Sequence, residues 1–157
     1  MSLEGEKEPE FVVSESVDSW NIPTKTFEYS LNGETIAVGT AKIISQPFPL
    51  VYVQGIDVSK EHMSEGYGSK LMDQMENLIY RNGTLGMLYS QILGAKSTKV
   101  HGMYERRGWN VVPGRSSLMY FNFKEGDDDS IQRLSEIYDQ GIKPMYGIGE
   151  RHGVWIA

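Results

Sequence analysis

The glycine pair at Gly66 and Gly68 is the first feature of this sequence that could support chemistry. It stands between a predicted strand over residues 50–58 and the apolar spacing of a predicted helix. The first N–H groups of a helix have no intrahelical partner, and the helix dipole places partial positive charge there. Because glycine also lets an anion approach the backbone closely, this order of elements favours a phosphate site.

The spacing of these glycines departs from the two best-known phosphate loops. No Gly-Lys-Ser or Gly-Lys-Thr follows, which excludes a Walker loop, and residue 71 is leucine, which excludes a full dinucleotide fingerprint. Met63 precedes the pair, and its side chain cannot donate a hydrogen bond to phosphate. Taken alone, the glycine pair fits either an anion site or a plain turn.

A second chemical candidate is the segment MYERRGW at residues 103–109, which ends a predicted helix just before a strand. It contains the phenol of Tyr104. A phenol with a pKa of about 10 is protonated at neutral pH and can donate a hydrogen bond to a developing anion. The alternative is that Tyr104 only packs its helix onto a sheet.

The elements that must position these segments begin with β-rich sequence. Runs at residues 24–31 and 34–44 flank Asn32-Gly33, the strongest short-range hairpin signal, because both turn positions need positive φ. With residues 50–58 they predict a three-stranded antiparallel meander, which a short strand at 11–13 could precede.

The second half predicts alternating helices and strands. Apolar residues 71, 72, 75, 78 and 79 share one helix face, and Asn82-Gly83 supplies the stop. A strand at 84–93, a helix from a Ser97 cap to about residue 107, strands at 109–112 and 118–123, a helix at 130–140 and a strand at 153–156 follow. We predict an α+β (mixed α/β) fold with a single central, mostly antiparallel sheet flanked by helices.

Length and composition limit the classes of protein and site. A length of 157 residues predicts one domain over 1–157, with its core at about 11–123 and a C-terminal extension at 124–157. The chain has no cysteine, which excludes disulfides and thiolate sites, and His62, His101 and His152 lack carboxylates at ligand spacing, so no metal is predicted. A net charge of −6 disfavours a nucleic-acid partner. The sequence shows no apolar run long enough to cross a membrane and no export signal, so we expect a cytoplasmic protein.

Both glycine-containing motifs together resemble those of the GNAT superfamily of N-acetyltransferases. In that family an apolar-x-Val step is followed four residues later by Arg/Gln-x-x-Gly-x-Gly/Ala; here Ile56-Asp57-Val58 precedes residues 63–68 (MSEGYG) at the same spacing. The later family motif, Tyr-Glu-x-x-Gly-Phe, is matched by residues 104–109 (YERRGW). The resemblance spans roughly residues 24–123 in element order.

The resemblance implies a GNAT-like acyl-CoA N-acyltransferase fold and acetyl-coenzyme A as co-substrate. The strand at Ile56 and Val58 would pair its backbone with the pantetheine arm, while the neighbouring strand from about residue 84 splays away. The loop residues Glu65, Gly66, Tyr67, Gly68 and Ser69 would bind the pyrophosphate, with Lys60 or Lys70 adding charge. Tyr104 matches the position of the general acid.

Three departures from the family pattern bear on these expectations. The Arg/Gln position is Met63, so the loop must hold phosphate mainly by its backbone. The two helices usual between the first and second strands are missing or reduced to a turn around residues 19–21. The chain continues beyond the usual end of the domain, and we expect that extension to cover the face that the missing helices would have covered.

The favoured interpretation is an enzyme that transfers acetyl from acetyl-coenzyme A directly to an amine, either a small cationic amine or a protein amine. No general base is assigned, since Glu28, Asp57, Glu61 and His62 each suit a surface role. The alternative is a non-catalytic coenzyme A-binding or protein-interaction module on the same fold. A third interpretation is a structural α+β protein that binds no cofactor; a homodimer is left open.

Overall fold

The chain forms one seven-stranded sheet and two α-helices in the residues that the computed structural model describes, namely 8–19, 21–45, 49–82, 85–89, 95–112 and 115–122. The strands are β1 (Glu10–Val17), β2 (Pro23–Leu31), β3 (Glu34–Ile44), β4 (Leu50–Val58), β5 (Leu85–Tyr89), β6 (Asn110–Val112) and β7 (Arg115–Asn122). The helices are α1 (Tyr67–Asn82) and α2 (Ala95–Arg106), and a 3-10 turn covers Lys60–His62. Neither of these helices is long and apolar enough to span a membrane.

The strand order is β1-β2-β3-β4-β5-β7-β6, and every neighbouring pair except β4–β5 is antiparallel. The parallel pair is joined through α1, as expected because a parallel crossover needs a long connection. The predicted meander, the Asn32-Gly33 turn and the mostly antiparallel sheet are confirmed; Asn32 and Gly33 have φ values of 52° and 83°.

The N-terminal strand is longer than the predicted 11–13, and no helix follows it. β1 pairs with β2 from Glu10↔Ser30 to Val17↔Pro23, and only residues 18–22 connect them. Within this turn the Ile22 amide donates to Asp18 Oδ1 at 2.9 Å. The predicted loss of the two family helices at this point is therefore confirmed. β1 is an edge strand whose Phe11, Val12, Val13 and Val17 are all exposed.

α1 packs on one face of the sheet, which we call the helix face. Its buried residues are Leu71, Met72, Met75, Leu78 and Ile79, the predicted apolar face, together with Gly68. Two glycines of the sheet lie directly beneath it: a Cβ at Gly39 would collide with Met75, and one at Gly86 would collide with Ile79 and lie 3.1 Å from the Trp109 ring. The side chains of α1 therefore fill the space directly above these two glycines.

The opposite face of the sheet is apolar and buried as well. Val51 and Val53 of β4 point to the helix face, whereas Leu50 and Tyr52 point away from it into a second cluster. That cluster consists of Ile22, Ile44, Leu50, Tyr52, Leu85, Met87, Val112 and Leu118, each 6% exposed or less. Neither α1 nor α2 packs on this side. The C-terminal extension, with its predicted helix and strand, lies outside the described residues, so its role as a cover stays a prediction.

The C-terminal extension can be tested as this cover by ending the chain at Asn122. If residues 123–157 cover the opposite face, the shortened protein exposes its eight apolar side chains and should bind the dye ANS and unfold with reduced cooperativity. Unchanged thermal unfolding and no dye binding in the shortened protein would show that the extension lies elsewhere.

The close approach of α1 to the sheet predicts the effect of enlarging Gly86. We expect Gly86→Ala to lower the free energy of unfolding by about 1–3 kcal/mol, because the added methyl group overpacks Ile79 and Trp109. Gly55→Ala is the matched control, since a Cβ there meets nothing within 4 Å. Urea unfolding measures both; an equal response of the two variants would contradict the packing argument.

Candidate active site

The loop between β4 and α1 is held by a backbone bond to β3 and by two residues with positive φ. The Ser59 amide donates to the Ile36 carbonyl at 2.8 Å, which fixes the start of the loop on β3. Ser64 and Gly66 then adopt positive φ values of 70° and 90°. A Cβ at Gly66 would meet nothing, so glycine serves the backbone conformation there and not the available space.

The first helical hydrogen bond of α1 runs from the Lys70 amide to the Gly66 carbonyl at 3.1 Å. Gly66 is therefore the N-cap, and the N–H groups of Tyr67, Gly68 and Ser69 form the first turn, where no intrahelical acceptor exists. These are three of the residues assigned from the motif to the phosphate loop. Their amides and the helix dipole together make an anion site chemically feasible.

The side chains around this loop contribute little positive charge. Met63 packs against the apolar cluster of the helix face, and the exposed Glu65 carboxylate contacts His62 Nδ1 at 3.0 Å. Only the backbone of Glu65 could therefore contribute to binding an anion. Lys60 is exposed, and Lys70 Nζ lies 5.2 Å from the centre of the Tyr67 ring, a cation–π arrangement.

The edge of β4 that faces β5 lacks a described partner beyond the middle of the sheet. Its described pairing with β5 runs only from Leu50↔Leu85 to Val53↔Leu88, while its pairing with β3 continues to Val58. The next residue of β5, Tyr89, pairs with Leu118 of β7. Residues 54–58 of β4 thus have backbone groups free of β5, and the side chains of Ile56 and Val58 are buried among the helix-face residues.

Tyr104 is fully buried on the helix face, in the apolar cluster that contains Val53, Ile56 and Val58 of β4. Its hydroxyl has no hydrogen-bond partner in the described part of the chain. Burial raises the pKa of Tyr104 above the ordinary value of 10.0, because the charged phenolate would be poorly solvated there. The hydroxyl is therefore a protonated donor with an unused hydrogen bond.

The end of α2 explains the spacing of the second motif. Gly108 has φ 99°, its amide donates to Glu105 at 3.1 Å, and the Trp109 amide donates to the Tyr104 carbonyl at 3.1 Å. These two bonds form a Schellman motif, which requires a residue that tolerates positive φ where Gly108 stands. The predicted stop is confirmed at Gly108. The predicted Ser97 cap is wrong, since α2 begins at Ala95 and Ser97 lies inside it.

Arg107 fastens the end of α2 to α1, a role that the sequence analysis missed. Its Nε and Nη2 each donate to the Glu76 carboxylate at 2.9 Å, and Nη2 also bonds Asp73. Its Nη1 lies 3.5 Å from Ser69 Oγ. Burial lowers the pKa of Arg107, but its bonds to Glu76 and Asp73 outweigh this and raise the pKa overall.

Trp109 completes what we call the Arg107 cluster, made of Arg107, Glu76, Asp73 and Trp109. Its indole Nε1 donates to Glu76 Oε2 at 2.9 Å. The family motif has phenylalanine at this position, so the cluster gives a physical reason for the tryptophan. The sequence signal for it was weak: two carboxylates at i and i+3 on α1, separated by about thirty residues from an arginine that the motif leaves unspecified.

The candidate bases are not brought together. Glu28 accepts a hydrogen bond from Thr35 Oγ1, and Asp57 and Glu61 are exposed at separate positions. Asp57 points away from its neighbours Ile56 and Val58, as predicted. Among the described residues no group of three His, Asp or Glu side chains could hold a metal ion.

Breaking the Arg107 cluster should destabilise the protein in a side-chain-specific way. Arg107 and Glu76 are only 17% and 13% exposed, so Glu76→Ala leaves a poorly solvated guanidinium and an unpaired indole N–H, at a cost of about 3 kcal/mol. Asp73 is 63% exposed, and Asp73→Ala should cost under about 1 kcal/mol. Chemical denaturation of the two variants checks this difference; equal losses would contradict it.

The sequence profile of the acetyltransferase (GNAT) family matches residues 4–109. A search of curated proteins gave no match. Among solved structures, a GNAT-family protein of Desulfovibrio desulfuricans has a TM-score of 0.54 at 12% identity, covering 63% of this chain and 68% of that one. A protein of Klebsiella pneumoniae assigned as an acyl-CoA N-acyltransferase has a TM-score of 0.53 at 13% identity, and the match covers 71% of this chain and 96% of that one.

A third structure is from Bacillus anthracis, assigned as a streptothricin acetyltransferase and solved with acetyl-coenzyme A. It has a TM-score of 0.51 at 13% identity and covers 74% of this chain and 86% of that one. Likeness at such low identity shows the fold alone, whereas the family profile covers more than half of the chain. The protein therefore belongs to the acetyltransferase (GNAT) family, whose co-substrate is acetyl-coenzyme A.

Proposed function

We propose that the protein is an N-acetyltransferase that moves the acetyl group of acetyl-coenzyme A directly to an amine. The observation that carries this proposal is the Tyr104 hydroxyl, buried without a partner beside a strand that has no described pairing with β5 over residues 54–58. A buried polar group without a partner costs stability, so it needs an explanation in a native fold. A ligand that completes its hydrogen bond supplies that explanation.

The described residues fit such a ligand along one path. The amides of Tyr67, Gly68 and Ser69 would hold the pyrophosphate at the N-terminus of α1. The free backbone groups of Ile56 and Val58 would pair with the amide-containing arm, as one strand pairs with another. Tyr104 would then lie at the thioester end, within the same side of the sheet.

Acetyl-coenzyme A supplies the acetyl group as an activated thioester. As the carbon–nitrogen bond to the amine forms and the carbon–sulfur bond breaks, Tyr104 would donate its proton to the leaving sulfur. Because burial raises the pKa of Tyr104, the phenol is protonated in the neutral range before the reaction, and the phenolate left after the transfer regains a proton from solvent. The proton lost by the amine goes to water or to a base that the described residues do not identify.

The acceptor is proposed as a cationic amine, either small or part of a protein. The net charge of −6 and the exposed carboxylates of Asp57 and Glu61, near the end of β4, favour the approach of a positive ligand. The second candidate is a coenzyme A-binding module without turnover. Met63, which gives the loop no side-chain donor, and the missing N-terminal helices favour that candidate.

Replacing Tyr104 by phenylalanine separates the two functions. For the enzyme, Tyr104→Phe should lower kcat about 100-fold, measured as thiol release from acetyl-coenzyme A in the presence of amines, because the proton donor is lost. The free protein should be no less stable, since only an unpaired hydroxyl is removed. Tyr120→Phe, on the opposite face, is the control. Tight coenzyme A binding with no thiol release in the native protein would instead support the binding module.

A further inference from the structure

His101 is a second buried polar side chain on α2 with an unused hydrogen bond. It is 5% exposed, and its Nδ1 is buried with no partner among the described residues. Histidine at a solvent-facing helix position would satisfy this nitrogen with water. Its burial without a partner is therefore as much in need of explanation as that of the Tyr104 hydroxyl.

The two side chains lie on one face of one helix. His101 and Tyr104 are at i and i+3, which places them side by side, about 4.5 Å apart along the helix axis. A third buried polar atom without a partner, Ser59 Oγ, belongs to the residue that directly follows β4. Unpaired buried polar atoms are rare in native proteins. His101 neighbours Tyr104 on α2, and Tyr104 lies in the same cluster as Ile56 and Val58, the residue before Ser59, so a common polar ligand explains these atoms better than independent defects.

We propose that His101 is a ligand-binding residue at the acyl-transfer site, whose Nδ1 accepts a hydrogen bond from an N–H group of a reactant. This rests on the proposed function. In the neutral ring protonated at Nε2, Nδ1 is an acceptor, complementary to the Tyr104 hydroxyl donor beside it. An N–H group close to the thioester sulfur occurs in two reactants: the nearest amide of the coenzyme A arm and the acceptor amine itself.

The test compares His101→Leu with His101→Asn, because asparagine keeps an acceptor close to the position of Nδ1 while leucine removes it. We measure thermal unfolding of the free variants, coenzyme A affinity by calorimetry, and KM for spermidine and for a lysine-containing peptide. We expect His101→Leu to be as stable as the native protein or more so, yet to bind one reactant about 10-fold more weakly. His101→Asn should restore most of that binding.

The two sources of the N–H group give different results. A fall in coenzyme A affinity assigns the hydrogen bond to the cofactor amide, whereas an unchanged affinity with a raised KM for amines assigns it to the acceptor. If the Leu variant fails to fold, His101→Asn against His101→Gln replaces it, since glutamine places its amide nearer to the position of Nε2.

Unchanged coenzyme A affinity and unchanged KM in every folded variant would overturn the proposal, and would indicate a buried water at Nδ1 only. This outcome is distinct from failure of the proposed function. If no amine is acetylated but coenzyme A affinity still depends on His101, the transferase proposal fails and the binding role of His101 stands. Absence of any coenzyme A binding would overturn both.

Discussion

The close packing of α1 on the sheet is the constraint on which the rest of the structure depends. Gly39 and Gly86 leave no side chain between the helix and the strands, so the large residues Met75 and Ile79 occupy that space. The position of the helix then determines where its first turn stands relative to the end of β4. Since the Arg107 cluster ties the end of α2 to the outer side of α1, the same packing also places Tyr104 and His101.

The charged side chains Arg107, Glu76 and Asp73 bond one another and join α2 to α1, which leaves little net positive charge to bind an anion. Arg107 Nη1 lies 3.5 Å from Ser69 Oγ, but Glu76 and Asp73 occupy the Arg107 guanidinium and give the group a net negative charge. An arginine neutralised in this way attracts phosphate weakly. Met63, which replaces the usual donor, is partly buried and packs against the core. Binding of an anion must therefore come mainly from backbone amides, which carry no side-chain charge and vary little with pH.

Much of the fold could be predicted because its signals are local. Asn32-Gly33 adopts the positive φ values that the hairpin demanded, the apolar face of α1 follows helical spacing, and Gly108 ends α2. The full length of β1 could not be predicted, since both of its faces are exposed and it lacks the alternation that a half-buried strand produces. The prediction that Ser97 caps the start of α2 was wrong, since the helix begins at Ala95, because a single capping residue is a weak boundary signal.

Two short motifs predicted some residues of the candidate site, but not the contacts that distant segments create. The loop from Gly66 to Ser69 and the tyrosine came from two short motifs. The roles of Arg107, Glu76 and His101 could not be found in that way, because each depends on contact or burial created by distant segments. From sequence alone, a histidine in a helix is expected at the surface, and only the structure shows that His101 is buried.

The exposure of β1 has a consequence for motion at the candidate site. Within the described part of the chain, β1 pairs with β2 alone and has both faces exposed, which is typical of segments that open at low free energy. Its Phe11 ring lies 4.7 Å from Tyr29, which lies 5.2 Å from Tyr67 in the first turn of α1. Detachment of β1 would remove one aromatic neighbour from that stack. Local fraying at the sheet edge is thus coupled, through three rings, to the order of the turn proposed to hold phosphate.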